Sequence, residues 1–313
     1  MKSKANLVLA TITPIFALCV FACVNTLKST KPYNSQVNTT QTDSSTLAVS
    51  SAKLKTIKIG SFNIQNLGVT KMGKVDVVKE LVTIIRKYDV VAIQEISDIT
   101  NKIAYRLLDS INQNQTVQYK VLVSQRTGQQ SDDVSSQEQY AFYYNTSTIK
   151  DLEQSILYND STHDYFCREP FLAHFMVGKG NFSFVICTVH TKPEAALEEI
   201  GALNEVIKWA KTKYTGEDDF IALGDFNASC TYVTPTQLDG LDIRKNNYQW
   251  IIADTVKTNL SSKQCAYDRI VITNPSTSKD FNGKWGVDRC FTSKTISDHW
   301  PVWAEFYTTK DVH

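Results

Sequence analysis

Residues 221–234, IALGDFNASCTYVT, decide how the rest of the chain is interpreted. The segment begins with apolar residues typical of a buried strand and then places Asp225 and Asn227 two positions apart. Because alternate strand residues face the same side, the pattern predicts that these two side chains project together while Phe226 enters the core. A carboxylate and an amide at a strand end suit a divalent cation and a phosphate oxygen. A plain turn is the alternative, because Gly, Asp and Asn are also turn residues.

Length and composition indicate a sizeable globular protein. The chain has 313 residues, 42% of them hydrophobic, so it can bury a large core as one or two domains. Its formal net charge of +1 provides no global basic field that would attract nucleic acid. Binding of a polyanion therefore has to be local, in a groove or at a metal site.

The N-terminal segment predicts export. Lys2 and Lys4 precede an apolar run over residues 7–24, as in a secretory signal. The sequence VFAC, ending at Cys23, resembles a bacterial lipoprotein cleavage box, so residues 1–23 are interpreted as a signal peptide with Cys23 as a candidate for lipidation. A permanent single-span anchor is the alternative. We expect an exported protein that is extracellular, periplasmic or lipid-anchored at the cell surface.

Two further regions follow the signal. Residues 24–54 are rich in Ser, Thr, Asn and Gln without an apolar period, which predicts a disordered tether. Residues 55–313 show alternating strand and helix patterns and are interpreted as one domain. The predicted strands cover residues 54–62, 89–93, 119–124, 140–144, 171–177, 182–189, 220–224, 250–253, 269–273 and 301–307, and the predicted helices cover 75–88, 99–111 and 194–214. Many strands with helices between them indicate two packed sheets with helices outside.

Polar residues that can carry chemistry stand at the ends of most predicted strands. They are Asn63, Glu95, Glu138, Arg168, Glu169, His190, Asp225, Asn227, Asp268, Asp298 and His299. Each has an ordinary structural explanation, such as a turn, a solvated ion pair or a buried histidine with a partner. Because a rigid scaffold delivers strand-end residues to a common edge, so many of them in one domain favour a functional site.

The order of these motifs carries a family resemblance. SFNIQNLG, QE, QEQYAF, REP, TVH, GDFNASCTYVT, CAYDRIV and SDHWPV follow one another across residues 55–307. Together they resemble the deoxyribonuclease I-like members of the endonuclease/exonuclease/phosphatase superfamily. The resemblance implies a four-layer α/β sandwich, in which two packed mixed β-sheets are flanked by helices and the site lies at one end.

The resemblance implies a metal site and two catalytic histidines. Glu95 corresponds to the carboxylate that binds Mg²⁺ or Mn²⁺, and Asn63 and Asp298 assist it. His190 and His299 correspond to the two catalytic imidazoles.

Supporting roles also follow from the resemblance. Glu138 is similar to the carboxylate that orients His190, and Asp268 to the one that orients His299. Asp225 and Asn227 resemble the groups that hold the scissile phosphate and the attacking water. The resemblance further implies that Arg168 and Tyr232 contact phosphate.

The residue types suit phosphodiester hydrolysis in their own right. A divalent ion can neutralise charge on the phosphate as a Lewis acid. One imidazole can accept a proton from water while a protonated one donates to the 3′ leaving oxygen. A carboxylate behind each ring fixes its tautomer and raises its basicity. Which histidine is the acid stays open.

Cysteine positions fit an exported protein. The resemblance implies a disulfide between Cys230 and Cys265. Cys187 lies in a predicted buried strand and is interpreted as a small hydrophobic residue. Whether Cys167 and Cys290 pair is left open, because disulfide formation needs close Cα atoms that a sequence does not reveal.

Several positions depart from the family pattern. Ser97, Ser136 and Gln65 stand where the family has an Arg, a Tyr and an Arg that contact DNA. Loss of a cation that favours the narrow minor groove predicts weaker binding to duplex DNA.

Calcium binding is also affected by a departure. Lys257 replaces an Asp of a family calcium loop, whereas a structural Ca²⁺ near Asp164 and Glu169 is retained as an expectation.

The sequence therefore predicts a secreted or surface-anchored, metal-dependent endonuclease. It is expected to act as a monomer on duplex or single-stranded DNA and to leave 5′-phosphate and 3′-hydroxyl ends. Another superfamily phosphodiesterase, of sphingomyelinase or phosphatase type, is the first alternative. A binding module that has lost catalysis is the second.

Overall fold

The computed structural model describes residues 55–128 and 137–311. The described residues form twelve strands in chain order: β1 Thr56–Asn63, β2 Val90–Ile96, β3 Tyr119–Val123, β4 Gln139–Asn145, β5 Ile149–Leu157, β6 Phe171–Val177, β7 Ser183–His190, β8 Phe220–Asp225, β9 Tyr248–Trp250, β10 Asp268–Thr273, β11 Phe281–Val287 and β12 Val302–Tyr307. The helices are α1 Val69–Met72, α2 Val75–Ile85, α3 Ile103–Asn112, α4 Ala196–Lys213, α5 Pro235–Asp239 and α6 Thr277–Asp280, with 3₁₀ turns at Pro193–Ala195 and Asp242–Arg244. None of these helices is long and apolar enough to cross a membrane.

The strands form two six-stranded sheets. The first has the order β11-β12-β1-β2-β4-β3 and the second β5-β6-β7-β8-β10-β9. Both are mixed, because β1 and β2 run parallel, as do β7 and β8, while the neighbouring pairs are antiparallel. The predicted sandwich of two mixed sheets is confirmed.

Three apolar layers hold this arrangement together. Between the sheets lies a core that includes Phe142, Phe175 and Leu223. The outer face of the first sheet packs against α1–α3, and the outer face of the second packs against α4. Each sheet therefore buries both faces, and the described residues form the four layers that the sequence predicts.

Some predicted elements differ from the structure. Strands β5 and β11 were not predicted, because both lie at sheet edges and carry mostly exposed or half-buried residues without an apolar run. The strand predicted at 250–253 is wrong in position: β9 ends at Trp250, and Ile251 and Ile252 are buried beyond its end. The helix predicted from residue 99 begins at Ile103 instead. Its start is fixed by Asp98, whose carboxylate accepts the backbone N–H of Ile103 at 3.1 Å.

Candidate active site

The central strands deliver polar residues to one edge of the sandwich. Asn63 ends β1 opposite Gln94 of the parallel strand β2, and His190 ends β7 opposite Asp225 of β8. Strand β10 runs antiparallel to β8, so its first residue, Asp268, also lies opposite Asp225. The C-terminal ends of the parallel strands and the N-terminal end of the antiparallel strand β10 therefore lie at the same edge of the sandwich.

The turn after β8 corrects the simple alternation predicted from the sequence. Strand β8 ends at Asp225, and Asn227 has a left-handed backbone with φ of 47°, so it does not continue the strand. Its N–H donates to Asp225 Oδ1 at 3.0 Å, and its side-chain amide donates to the Thr191 carbonyl at 2.9 Å. Phe226 is buried as predicted. The segment is therefore a turn whose hydrogen bonds hold Asp225 in place.

Gly224 makes that turn possible. Its φ is 147°, and a Cβ atom at this position would lie 1.9 Å from the Val189 carbonyl oxygen of the neighbouring strand. Any other residue would force β7 and β8 apart.

Each catalytic candidate histidine is backed by a carboxylate. The His190 Nδ1 atom lies 3.0 Å from Glu138 Oε2. The His299 Nδ1 atom lies 2.8 Å from Asp268 Oδ2. Both predicted pairings are present in the structure, and each leaves Nε2 of the ring directed away from its carboxylate.

Asp225 lies between the two imidazoles. Its Oδ2 atom is 3.7 Å from His190 Nε2 and 3.5 Å from His299 Nε2. All three side chains are nearly buried, with Asp225 only 2% exposed. Nε2 of both rings therefore lies close to the same carboxylate oxygen.

These carboxylates raise the pKa of both rings. Burial by itself lowers the pKa of His299, but Asp268 and Asp225 outweigh it and raise the pKa well above its usual value. For His190, burial is again the largest influence, and Glu138 reverses it so that the pKa is raised. The site therefore favours a protonated imidazole near neutral pH, as a general acid requires.

Replacing Glu138 by Gln is expected to move one limb of the pH profile. Glu138 is the main group that raises the His190 pKa, so its loss lowers that pKa. The limb of kcat/KM that reports His190 then moves to lower pH, whether the ring acts as acid or base. Glu217→Gln, which alters the carboxylate behind His174 in the same sheet, is the control and leaves the profile in place. An unmoved limb in Glu138→Gln contradicts the assignment.

Glu95 is held by a distortion of β2. Its φ is 63°, and the pairing of β2 with β4 is irregular between Ile93 and Ile96. The side-chain amide of Asn63 donates to Glu95 Oε1 at 2.8 Å, and the N–H of Asn66 donates to Oε2 at 2.9 Å. The bulge thus redirects the carboxylate, and two donors fix it.

Asn63 links Glu95 to Asp225. The same amide nitrogen also donates to Asp225 Oδ2 at 3.0 Å. Asn63 is 1% exposed, and its Oδ1 accepts the N–H of Gln65 at 2.9 Å. Asn63 therefore contacts Glu95 as a hydrogen-bond donor that positions two carboxylates at once.

The donor set fits a hard divalent cation. Glu95 is half-buried and each of its oxygens receives one hydrogen bond, which leaves lone pairs for an ion. Asp298 is also half-buried, and the charges of both carboxylates act on the nearby ammonium of Lys71. A second group, Asp225 with Asp268 and His299, brings ligand atoms within 4.8 Å of one another.

Lys71 belongs to this site although the sequence analysis did not single it out. Its Nζ donates to the carbonyls of Ile64 at 2.7 Å and Ile296 at 2.9 Å, and also to that of Gln65. Burial lowers its pKa to about 8, although Glu95 opposes the change. Lys71 thereby ties the loop after β1 to the segment that carries Asp298. Its only signal in the sequence is a lysine in a short segment next to buried Met72.

Lys71→Met is expected to destabilise the fold. The change leaves three carbonyls without their donor, at about 1–3 kcal/mol for each buried group left unpaired. We expect a loss of about 3 kcal/mol or more in the free energy of unfolding, measured by urea denaturation at pH 7. The exposed Lys74→Met is the matched control and changes it little. Equal stability of the two variants would show that Lys71 does not hold the loop after β1 to the segment that carries Asp298.

The two predicted phosphate contacts have different environments. Arg168 is 6% exposed, and its guanidinium donates to the carbonyls of His190 at 2.8 Å and Thr191 at 2.9 Å. Tyr232 is 41% exposed; its ring lies 5.6 Å from Tyr267. The Tyr267 ring lies 5.9 Å from that of His299, so Tyr232 stands at the rim of the site. Phosphate contact by Arg168 and Tyr232 stays a prediction.

The predicted disulfide is present. Cys230 and Cys265 are bonded across a sequence separation of 35, which ties the turn after β8 to the start of β10. Closing this loop stabilises by about 4 kcal/mol on the chain-entropy model. Among the described residues no disulfide joins Cys167 to Cys290. Cys187 is buried as expected.

The calcium position near Asp164 and Glu169 stays a prediction. Glu169 accepts a hydrogen bond from Thr127. Burial raises the pKa of Asp160, and the negative charges of Asp164 and Glu169 add to the increase.

Comparison with known proteins identifies the family of this chain. The sequence profile of the endonuclease/exonuclease/phosphatase family matches residues 60–299. The chain therefore belongs to that family. Deoxyribonuclease-1 of Mus musculus is 34% identical over 263 residues, which cover 79% of this chain and 90% of the mouse protein. The human Deoxyribonuclease-1 is 33% identical over 265 residues, with 79% and 90% covered. Within the family the chain is a deoxyribonuclease I-like hydrolase.

Solved structures agree on the fold. An endonuclease/exonuclease/phosphatase family protein from Bacteroides thetaiotaomicron has a TM-score of 0.57 and 14% identity, over 82% of this chain and 99% of that one. A mannosyl-6-phosphatase from the same organism has a TM-score of 0.55 and 14% identity, over 79% and 98%. At such identities the likeness concerns the fold alone.

Proposed function

We propose that the protein is a metal-dependent endonuclease that hydrolyses DNA phosphodiester bonds and leaves 5′-phosphate and 3′-hydroxyl ends. The observation that carries the proposal is the position of Asp225 between two imidazoles, His190 and His299, each backed by its own carboxylate. Two proton-transfer groups that face one point suit a reaction in which one proton leaves water and another reaches the leaving oxygen. The similarity to Deoxyribonuclease-1 supports DNA as the substrate.

The chain's own residues divide the chemistry between them. The neutral member of the histidine pair accepts the proton of the attacking water, and the protonated member donates to the 3′ oxygen as it leaves. Glu138 and Asp268 hold the rings in the tautomer with Nε2 free for this exchange. Asp225 stabilises the imidazolium that forms at either ring.

Glu95, Asn63 and Asp298 are the residues proposed to hold the ion, Mg²⁺ or Mn²⁺. When bound, such an ion supplies Lewis-acid stabilisation of charge on the phosphate oxygens. Asn63 keeps Glu95 aligned with Asp225, so the metal side and the histidine side of the site are coupled through one amide. Arg168 and Tyr232 are proposed as additional phosphate contacts.

Another phosphoester hydrolase activity is the second candidate, because a phosphatase shares the fold. The GDFNASCTYVT and CAYDRIV motifs, with the bonded Cys230 and Cys265, favour the nuclease. A silent binding module is disfavoured by the complete pair of carboxylate-backed histidines.

The purified protein should be assayed on supercoiled plasmid, sphingomyelin and mannose 6-phosphate, with Mg²⁺, with Mg²⁺ plus Ca²⁺, and with excess chelator. We expect nicking of plasmid only with a divalent ion, and 5′-phosphate ends that DNA ligase can seal. Undiminished nicking in chelator rejects the metal dependence. Faster turnover of either small substrate than of DNA rejects the nuclease.

Duplex DNA is proposed as a weakly held substrate. Ser97, an uncharged residue two positions after Glu95, directly follows β2, and Ser136 lies outside the described residues. We propose that the protein acts as a monomer, on duplex and on single strands.

Ser97→Arg is expected to raise kcat/KM on duplex DNA about fivefold, since one screened groove contact adds ~1 kcal/mol. The gain should be largest on A·T-rich duplex and small on single strands, because only the duplex has a narrow minor groove. Ser97→Gln, similar in length but uncharged, is the control. Equal gains on both substrates would show that Ser97 does not face the groove.

We also propose that the protein is exported, with residues 1–23 as its signal and residues 24–54 as a tether. Both segments lie outside the described residues. A disulfide supports an oxidising destination. Mass spectrometry of the protein from its host is expected to find a chain that begins near Cys23, and an intact Met1 on a cytosolic protein contradicts export.

A further inference from the structure

A second group of carboxylates lies at the other end of the second sheet. Asp219 immediately precedes β8, whereas Asp225 ends it, so about 20 Å of strand separates this group from the catalytic site. Asp280 ends α6, and Asp311 is the last described residue. The three are 2%, 1% and 7% exposed, respectively. One oxygen from each lies within 4.8 Å of the others.

Asp219 has a buried carboxyl group that is only partly hydrogen-bonded. Its Oδ1 atom is buried and has no hydrogen-bond donor among the residues that the structure describes. Such an unpaired oxygen on an ionised group is costly in a protein interior. The nearby Thr277 hydroxyl acts in the opposite direction to burial and lowers the pKa of Asp219, which favours the charged form. A ligand that offers positive charge to the buried oxygens would relieve the cost.

Charges of both signs surround the three aspartates. Burial raises the pKa of Asp219 to about 7, and Asp311, Glu217 and Asp280 add to the increase. Lys208, Lys211 and Lys279 also line the adjacent cleft, where the ammonium of Lys208 pairs with Glu205 at 2.8 Å and that of Lys211 with Asp218 at 3.6 Å. The cleft, about 500 Å³ in volume, is lined by all three aspartates, so ions and water can reach them.

We propose that Asp219, Asp280 and Asp311 bind a hard divalent cation such as Ca²⁺. Oxygen ligands lie about 2.3–2.6 Å from Ca²⁺, so two of them on opposite sides of one ion are about 5 Å apart. The three ligand atoms lie within 4.8 Å of one another and are therefore close enough to share one ion. Water from the cleft completes the coordination.

The consequence of binding is a cross-link between distant parts of the chain. Asp311 already anchors the C-terminal segment, since its Oδ2 accepts the N–H of Ser183 at 3.3 Å and its carbonyl accepts the Asn181 amide at 2.6 Å. A cation on the three aspartates would join this segment to β8 and to α6. The site is separate from Glu95 and from Asp164 and Glu169, and its purpose is stability rather than catalysis.

The test uses the full chain and does not depend on nuclease activity. Melting temperature and the number of bound calcium ions are measured in CaCl₂ and in chelator for wild type, Asp219→Asn and Asp311→Asn. The control is Asp218→Asn, which alters the exposed neighbour. With free Ca²⁺ at a hundred times its Kd, wild type and the control should gain roughly 5–10 °C. Asp219→Asn and Asp311→Asn should lose that gain and bind one calcium ion fewer.

A second expectation concerns the melting temperatures in chelator, where no calcium is bound. Asp219→Asn removes one of three buried carboxyl groups that lie close together, so without calcium it should melt at or above the wild-type temperature. Equal calcium stoichiometry in wild type and both aspartate variants overturns the proposal. A wild-type melting temperature that Ca²⁺ leaves unchanged does so as well, and would mean that the carboxyls share protons instead.

Discussion

Replacing His299 by Ala is expected to lower kcat on DNA by a factor of about 10²–10⁴, because one of the two proton-transfer groups is lost. His190→Ala should have an effect of similar size. Both rings stand at the edge of the sandwich, outside its three apolar cores, so the fold should persist. The measurement is kcat on plasmid in Mg²⁺, with circular dichroism as the check on folding.

A matched control exists within the same sheet. His174 in β6 also pairs with a carboxylate, Glu217, at 2.9 Å. His174→Ala therefore removes a carboxylate-backed imidazole that has no proposed role in the reaction, and kcat should be unchanged. The kcat of the double variant His190→Ala/His299→Ala should be only slightly lower than that of the less active single variant, because the two rings act as a unit. Normal kcat in either single variant would mean that the wrong histidine has been assigned.

Glu95→Gln is expected to lower kcat/KM by a factor of about 10²–10³ at low Mg²⁺, since a bound ion supplies several kcal/mol of charge stabilisation. Raising the Mg²⁺ concentration should recover part of the loss, because the amide weakens binding of the ion without closing the site. The exposed Glu194→Gln is the control for loss of one negative charge near the same edge.

The Mg²⁺ dependence decides how Glu95→Gln is interpreted. If the variant and wild type have the same rate at every Mg²⁺ concentration, Glu95 does not hold the ion. Asp225, Asp268 and His299 would then be the next group to examine.

The architecture was predictable because its signals are local. Strands such as β8 combine an apolar run with a polar residue at the end, and rigid sheets convert that pattern into a common edge. The pairings of His190 with Glu138 and of His299 with Asp268 join residues 52 and 31 positions apart, and they came from the family resemblance. Spacing alone could not have supplied them.

Other features depend on tertiary contacts that leave little trace in the sequence. Asn63 bridges Glu95 and Asp225 only because two sheets meet there. Lys71 reaches Ile296, 225 positions away, so its role follows from folding rather than from its neighbours. The edge strands β5 and β11 have no apolar run because one side of each faces solvent. The position of Asn227 followed the turn chemistry of its segment rather than strand alternation.

The most direct test of the two-histidine nuclease is the initial rate of plasmid nicking by wild type and by the double variant His190→Ala/His299→Ala. Both proteins are assayed in the same Mg²⁺ buffer, after measurement of their melting temperatures has shown that both are folded. We predict metal-dependent nicking by wild type and a rate at least about 10²-fold lower for the double variant. Nicking by the double variant at the wild-type rate would contradict the account.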